Sequence, residues 1–155
     1  MKHKVWILII AFAASISCTG GHENIQIQNI NNGWHKNKSV NFEFSVNDAQ
    51  IPKNIIFVVR NNNSYPFSNI RFFVTQTDLQ TKKTATDTVN FTIAKPNGEW
   101  LGKGFGETKE ISVPYRTNYK FPKNGRYQFS VKHAMRKDSL QGIEDLGIKI
   151  ESNTP

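Results

Sequence analysis

Val40-Asn41-Phe42-Glu43-Phe44-Ser45-Val46 alternates apolar and polar residues without a break. A period of two places Val40, Phe42, Phe44 and Val46 on one face of an extended strand and the polar residues on the other, the pattern of a half-buried strand. The period returns along the chain. Ile70, Phe72 and Val74 alternate with Arg71, Phe73 and Thr75, and Val89, Phe91 and Ile93 with Thr88, Asn90 and Thr92. Tyr127, Phe129 and Val131 follow the same rule, as do Leu146, Ile148 and Ile150. Ile55 to Val59 is apolar throughout, so it is expected at the centre of a sheet, covered on both faces.

Turn chemistry separates the runs. Asn97-Gly98 and Asn124-Gly125 are tight-turn dipeptides whose residues tolerate positive φ. Asp48 to Pro52 and Asn61 to Pro66 read as loops, because proline cannot donate to a central ladder. About eight short strands separated in this way predict an all-β domain, a two-layer antiparallel sandwich. Periodicity does not choose between a jelly roll and an immunoglobulin-like Greek key. Met135 to Asp145 is the expected place for a helical turn or a long excursion. Composition agrees: Leu and Ala are rare after residue 17, whereas Val, Ile, Phe, Tyr, Trp and Thr make up about a third of the domain.

The start of the chain reads differently. Lys2 and Lys4 precede an apolar run, Val5 to Ala14, that ends at Ser15-Ile16-Ser17-Cys18. Such a run is too short for a spanning helix and fits a secretory signal, residues 1–17. Cys18, the sole cysteine, stands where a bacterial lipoprotein carries the thiol that receives diacylglycerol. Lipid attachment at Cys18 is therefore expected, with residues 18–35 as a lipidated tether and 36–155 as a single sandwich domain. Several acyl chains at about 0.8 kcal/mol per buried methylene anchor a protein firmly. One cysteine also excludes an internal disulfide framework and a Cys-based zinc site.

Catalytic patterns are sparse. His35 and His133 lack the i, i+4 spacing of a helical metal pair, and His133 is expected at the surface or half-buried on a strand. No Gly-x-Ser-x-Gly elbow is present, and scattered carboxylates such as Glu43, Asp87, Glu99 and Glu107 do not define a glycosidase pair. The chain reads as a non-enzyme with no metal, no cofactor and no small-molecule ligand. Without residues 1–17 it carries 18 basic and 12 acidic residues, net +6. The lysines are dispersed and not interleaved with stacking aromatics, which argues against nucleic acid. Gly98-Glu99-Trp100-Leu101-Gly102-Lys103-Gly104-Phe105-Gly106 lacks the ending of a phosphate loop. It reads as a special loop whose Trp100 and Phe105 either cap one end of the sandwich or anchor a partner.

Several segments together resemble the gliding-motility lipoprotein family GldH of Bacteroidetes. They are Arg60-Asn61-Asn62, Tyr65-Pro66-Phe67-Ser68-Asn69, Gly98 to Gly106, Phe121-Pro122, Gly125-x-Tyr127-x-Phe129, Met135-Arg136 and Leu140-x-Gly142-Ile143-Glu144 onward to Glu151. Ser15 departs from the leucine usual in the lipoprotein signal. The resemblance implies an envelope lipoprotein required for gliding and linked to the type IX secretion apparatus, acting beside other gliding and secretion lipoproteins. The residues after Cys18, Thr19 to Asn24, lack the acidic cluster that resembles a surface-export signal in these bacteria, so lipid anchoring to the outer membrane on the periplasmic face is expected; of functional residues the resemblance carries over Cys18 alone. Asp87-Thr88-Val89 and Asp138-Ser139-Leu140 match the short O-glycosylation pattern of that phylum.

An adaptor is the expected mechanism, with Tyr65, Pro66, Phe67, Trp100 and Phe105 as the partner-binding residues. A carbohydrate- or peptidoglycan-binding module is the rival expectation, with Trp34, Tyr65 and Trp100 stacking on sugar rings.

Overall fold

The computed structural model describes residues 24–153. The signal segment, Cys18 and the residues just after it lie outside the described residues. Ten strands follow: β1 (Asn24–Asn29), β2 (Gly33–His35), β3 (Val40–Val46), β4 (Lys53–Asn61), β5 (Asn69–Asp78), β6 (Thr84–Thr92), β7 (Lys109–Tyr119), β8 (Gly125–His133), β9 (Ser139–Gln141) and β10 (Ile143–Ser152). There is no helix among the described residues.

The pairing is symmetrical about the middle of the chain. β5 pairs with β6, β4 with β7, β3 with β8, β2 with β9 and β1 with β10, all antiparallel. The chain is thus one long double ribbon folded back at the turn between β5 and β6. Rolling that ribbon brings β10 against β4 and β8 against β5. The result is two four-stranded sheets, β1-β10-β4-β7 and β3-β8-β5-β6, with β2-β9 as a separate short pair. A rolled ribbon of this kind is a jelly roll, which settles the alternative that periodicity leaves open. The eight long strands form the two sheets; β2 and β9, three residues each, are too short to show a period.

The alternation in β3 is borne out residue by residue. Val40, Phe42, Phe44 and Val46 are buried, and Asn41, Glu43 and Ser45 are exposed. β4 is central in its sheet, and Val58, facing away from the core, is buried along with Ile55, Phe57 and Val59. The layers meet where Phe57 of β4 packs against Phe72 of β5 at 5.3 Å and Phe91 of β6 at 6.0 Å between ring centroids. Such pairs each add about 0.5–1.5 kcal/mol beyond the area they bury.

Side chains latch the sheet edges. On one flank the Tyr115 hydroxyl and the Arg116 guanidinium, both on β7, each donate to Asp87 Oδ2 on β6 at 2.5 Å. These two donors hold the Asp87 carboxyl below its ordinary range. On the other flank Gln26 Nε2 of β1 donates to the Glu43 carbonyl of β3 at 2.5 Å.

Four details depart from the sequence reading. Residues 24–29 and 33–35, expected in the tether, are strands of the body. Ile25 and Ile27 point outward from edge strand β1 and are 48% and 39% exposed, so their alternation faces the wrong way to announce a buried strand. Met135 to Asp145 is not helical; it supplies β9 and the start of β10. Asn124-Gly125 closes no hairpin, because β7 and β8 belong to different sheets. Instead Asn124 Oδ1 accepts the Ala49 N–H at 2.8 Å, and its Nδ2 donates to the Asn47 carbonyl at 2.7 Å.

His133 is the fourth. Its ring is buried, packs edge-on against Trp34 at 5.5 Å, and has neither nitrogen hydrogen-bonded. Burial, together with the nearby His35, pushes the imidazole below its ordinary value of 6.5. As pH falls through about 6.5, the unfolded chain takes up this proton and the folded protein does not, so stability declines. The urea midpoint is therefore expected to drop between about pH 7 and pH 5. A His133→Leu variant should lose part of that acid sensitivity, and an unchanged pH profile in the variant would count against this source.

Candidate functional site

β4 runs toward one pole of the sandwich and ends there at Asn61. The connections around residues 30–32, 62–68, 93–108 and 142 gather at this pole. Most segments that carry the family resemblance converge here, although they are far apart in sequence.

A polar network ties these connections together. Asn31 and Asn32 both adopt φ 59°, a left-handed turn that asparagine accepts more readily than most residues. The turn aims Asn32 Oδ1 at two donors, the Gly142 N–H at 2.8 Å and Asn62 Nδ2 at 3.2 Å. Asn62 Nδ2 also donates to Glu144 Oε1 at 2.9 Å, and the Asn62 N–H donates to the Gly142 carbonyl at 2.9 Å. The other Glu144 oxygen accepts the Thr108 hydroxyl at 2.8 Å. Arg60, next to this network, bridges Glu110 at 2.6 Å and Asp145 at 3.5 Å.

On this base stands an aromatic stack. Tyr65 is 3% exposed and its hydroxyl donates to the Asn69 carbonyl at 2.7 Å. Burial pushes its phenol well above the ordinary 10. Phe67 meets the Tyr65 ring edge-on at 5.7 Å, and Trp100 lies 6.4 Å from it. The Trp100 indole N–H donates to Asn63 Oδ1 at 3.1 Å. Tyr65, Phe67 and Trp100 thus come together as a cap packed on the core. Pro66 lies exposed between Tyr65 and Phe67.

Phe105 is different. It is fully exposed, 103% of the reference area, yet its loop is held firmly. Lys103 and Glu110 exchange two backbone hydrogen bonds, at 2.9 and 2.8 Å. Lys109 Nζ donates to the carbonyls of Gly104 and Gly106 at 2.9 and 2.8 Å, gripping the residues on either side of Phe105. Gly106 takes φ 64°, which lets the loop reverse at that point without a Cβ penalty. Leu101, on the same segment, is 41% exposed.

Trp34 does not belong to this surface. It is completely buried, with its indole N–H donated to the Lys38 carbonyl at 2.8 Å. With Trp34 and Tyr65 buried, the three rings expected to stack on sugars do not form an exposed platform. Among the described residues no group of three or more His, Cys, Asp or Glu is placed to hold a metal ion. Thr88 and Ser139, the hydroxyls of the two glycosylation-like tripeptides, are both exposed.

Sequence reasoning named the aromatics as the contact residues; it used Asn62, Gly142 and Glu144 only as marks of the resemblance, gave them no part in the site, and passed over Asn32, yet these four tie the pole together. The consecutive asparagines at 31–32 and 61–63 were the available signal, since asparagine favours left-handed turns and bonds neighbouring backbone.

Fold and site define an all-β sandwich domain that presents an aromatic loop pole tied together by a half-buried polar network. The model of the GldH lipoprotein family matches residues 23–150. The chain is 36% identical over 157 aligned positions to the gliding motility lipoprotein GldH homolog of Christiangramia forsetii, covering 97% of this chain and 96% of that one. It is 31% identical to the gliding motility lipoprotein GldH of Flavobacterium johnsoniae, covering 94% of each. The chain belongs to the GldH lipoprotein family.

Proposed function

We propose that this chain is a non-enzymatic lipoprotein of the gliding machinery, anchored in the cell envelope through Cys18 and acting as an adaptor. Its relatives' names supply the gliding role, and the signal segment with Cys18 supports the anchor. The proposal extends to the outer membrane, periplasmic face, with a partner among the gliding and type IX secretion proteins.

The observation that carries the contact mechanism is Phe105, an exposed aromatic on a pinned loop. A loop backbone that is already held in place on both sides of the residue has less freedom to lose on docking, although the exposed ring itself must still be ordered. Burying a phenylalanine contributes about 1.5–3 kcal/mol, and anchors of this kind dominate interface energetics. Leu101 and Pro66, exposed at the same pole, are further candidates for the contact, whereas Tyr65, Phe67 and Trp100 pack on the core.

Recovery of partners from crosslinked envelopes, wild type against Phe105→Ala, tests the reading. A loss of about 2 kcal/mol corresponds to roughly 30-fold weaker binding, so recovery should collapse while the melting temperature stays unchanged. Undiminished recovery with the variant would contradict this docking surface.

A further inference from the structure

Asn24, where the body begins, pairs with Ile150 near the far end of β10, and Lys53 at the start of β4 pairs with Ser152 and with Tyr119. The chain therefore enters the sandwich at the pole opposite Phe105. Cys18 lies six residues before Asn24, and six residues span at most about 22 Å. β4, nine residues long, covers roughly 30 Å between the poles.

The entry pole is built from the turns at residues 47–53, 78–84 and 119–125. It carries Lys53, Lys82, Lys83, Lys120 and Lys123 against Asp48 and Asp78. Both acids are already committed, Asp48 to Lys53 at 2.6 Å and Asp78 to Lys123 at 3.5 Å. Lys82, Lys83 and Lys120 are exposed and form no ion pair among the described residues. The turn bearing Lys82 and Lys83 is fixed, because Asp78 Oδ1 accepts the N–H groups of Gln80 and Thr81 at 2.8 and 3.2 Å.

We infer that this pole faces the membrane and that Lys82, Lys83 and Lys120 rest on anionic lipid head groups. The inference rests on the lipid-anchored reading and adds an orientation to it: the body stands upright, holding the Phe105 pole away from the bilayer. Two observations select lipid as the occupant. The short connection to Cys18 ends at this pole and keeps it near the surface. The uncompensated charge there has the sign that anionic lipid attracts. Screening limits that attraction to about 8 Å at physiological salt, a separation that the entry pole, where the connection to Cys18 begins, can reach.

Lysine acetylation of the lipidated protein in vesicles tests this directly. One set contains phosphatidylcholine alone and the other adds phosphatidylglycerol, with peptide masses reporting each lysine and the lipid on Cys18. Labelling of Lys82, Lys83 and Lys120 should fall roughly 5-fold or more on the anionic vesicles and recover at high salt. Lys103, beside Phe105, should label equally on both. Equal labelling of the three lysines in the two vesicle types, with Cys18 lipidated, would overturn the orientation alone. A Cys18 peptide without lipid would overturn the anchored reading and the orientation with it. A Lys82→Gln, Lys83→Gln, Lys120→Gln variant, altered only at exposed positions, should lose the anionic-lipid protection of the neighbouring Lys123. Protection of Lys123 that persists in this variant would count against these three as the contact.

Discussion

Gly142→Ala is expected to lower stability by about 3 kcal/mol or more, because two costs coincide at one backbone position. Gly142 adopts φ 83°, a conformation that strains any residue with a Cβ. A Cβ at this position would also meet backbone, lying 2.5 Å from Tyr65 Cα and 2.7 Å from the Ser64 carbonyl carbon. The Gly142 carbonyl and N–H bond Asn62 and Asn32, so moving this segment to relieve the clash breaks the network under the aromatic stack. Thermal unfolding should show a midpoint lower by on the order of 10 °C. A variant with a wild-type midpoint would mean that the 62–65 segment yields easily, contrary to a rigid pole.

Trp34→Ala should cost about 3–5 kcal/mol, the range for removing a large buried aromatic. Trp34 is 0% exposed and lies 5.7 Å from Phe72 and 5.5 Å from His133 between ring centroids. Its removal opens a cavity beneath β2 and leaves the Lys38 carbonyl without its indole donor. Trp34→Phe should recover much of the loss, since it refills most of the volume but not the hydrogen bond. Chemical denaturation of the two variants separates these contributions. Equal, near-wild-type stability in both would contradict the structural role and reopen a surface role for this ring.

The strands whose periodicity points inward were legible from sequence. Val40 to Val46 shows why: each apolar residue meets the opposite sheet, so burial and alternation coincide. β1 was hidden because Ile25 and Ile27 face outward, and β2 and β9 because three residues carry no period. The jelly-roll pairing depends on contacts between residues as distant as Asn24 and Ile150, which local pattern does not encode. At the candidate site, residue type separated neither Phe105 from Trp100 nor surface from cap. The Lys109 ammonium that grips the Gly104 and Gly106 carbonyls makes that distinction, and its role emerges only once the loop is folded.

The two poles give the molecule a direction. Asn24, the first described residue, lies at one, and Phe105 stands at the other, roughly 30 Å away along β4. An anchored adaptor gains from this arrangement, since attachment to a membrane raises the local concentration of a partner held at a matching height.

A photo-crosslinking residue placed at position 105 in living cells tests the contact mechanism most directly. A discrete adduct with another envelope protein, absent when the probe sits at exposed Thr86 on the flank, is the predicted result. Adducts from position 86 with none from position 105 would contradict it.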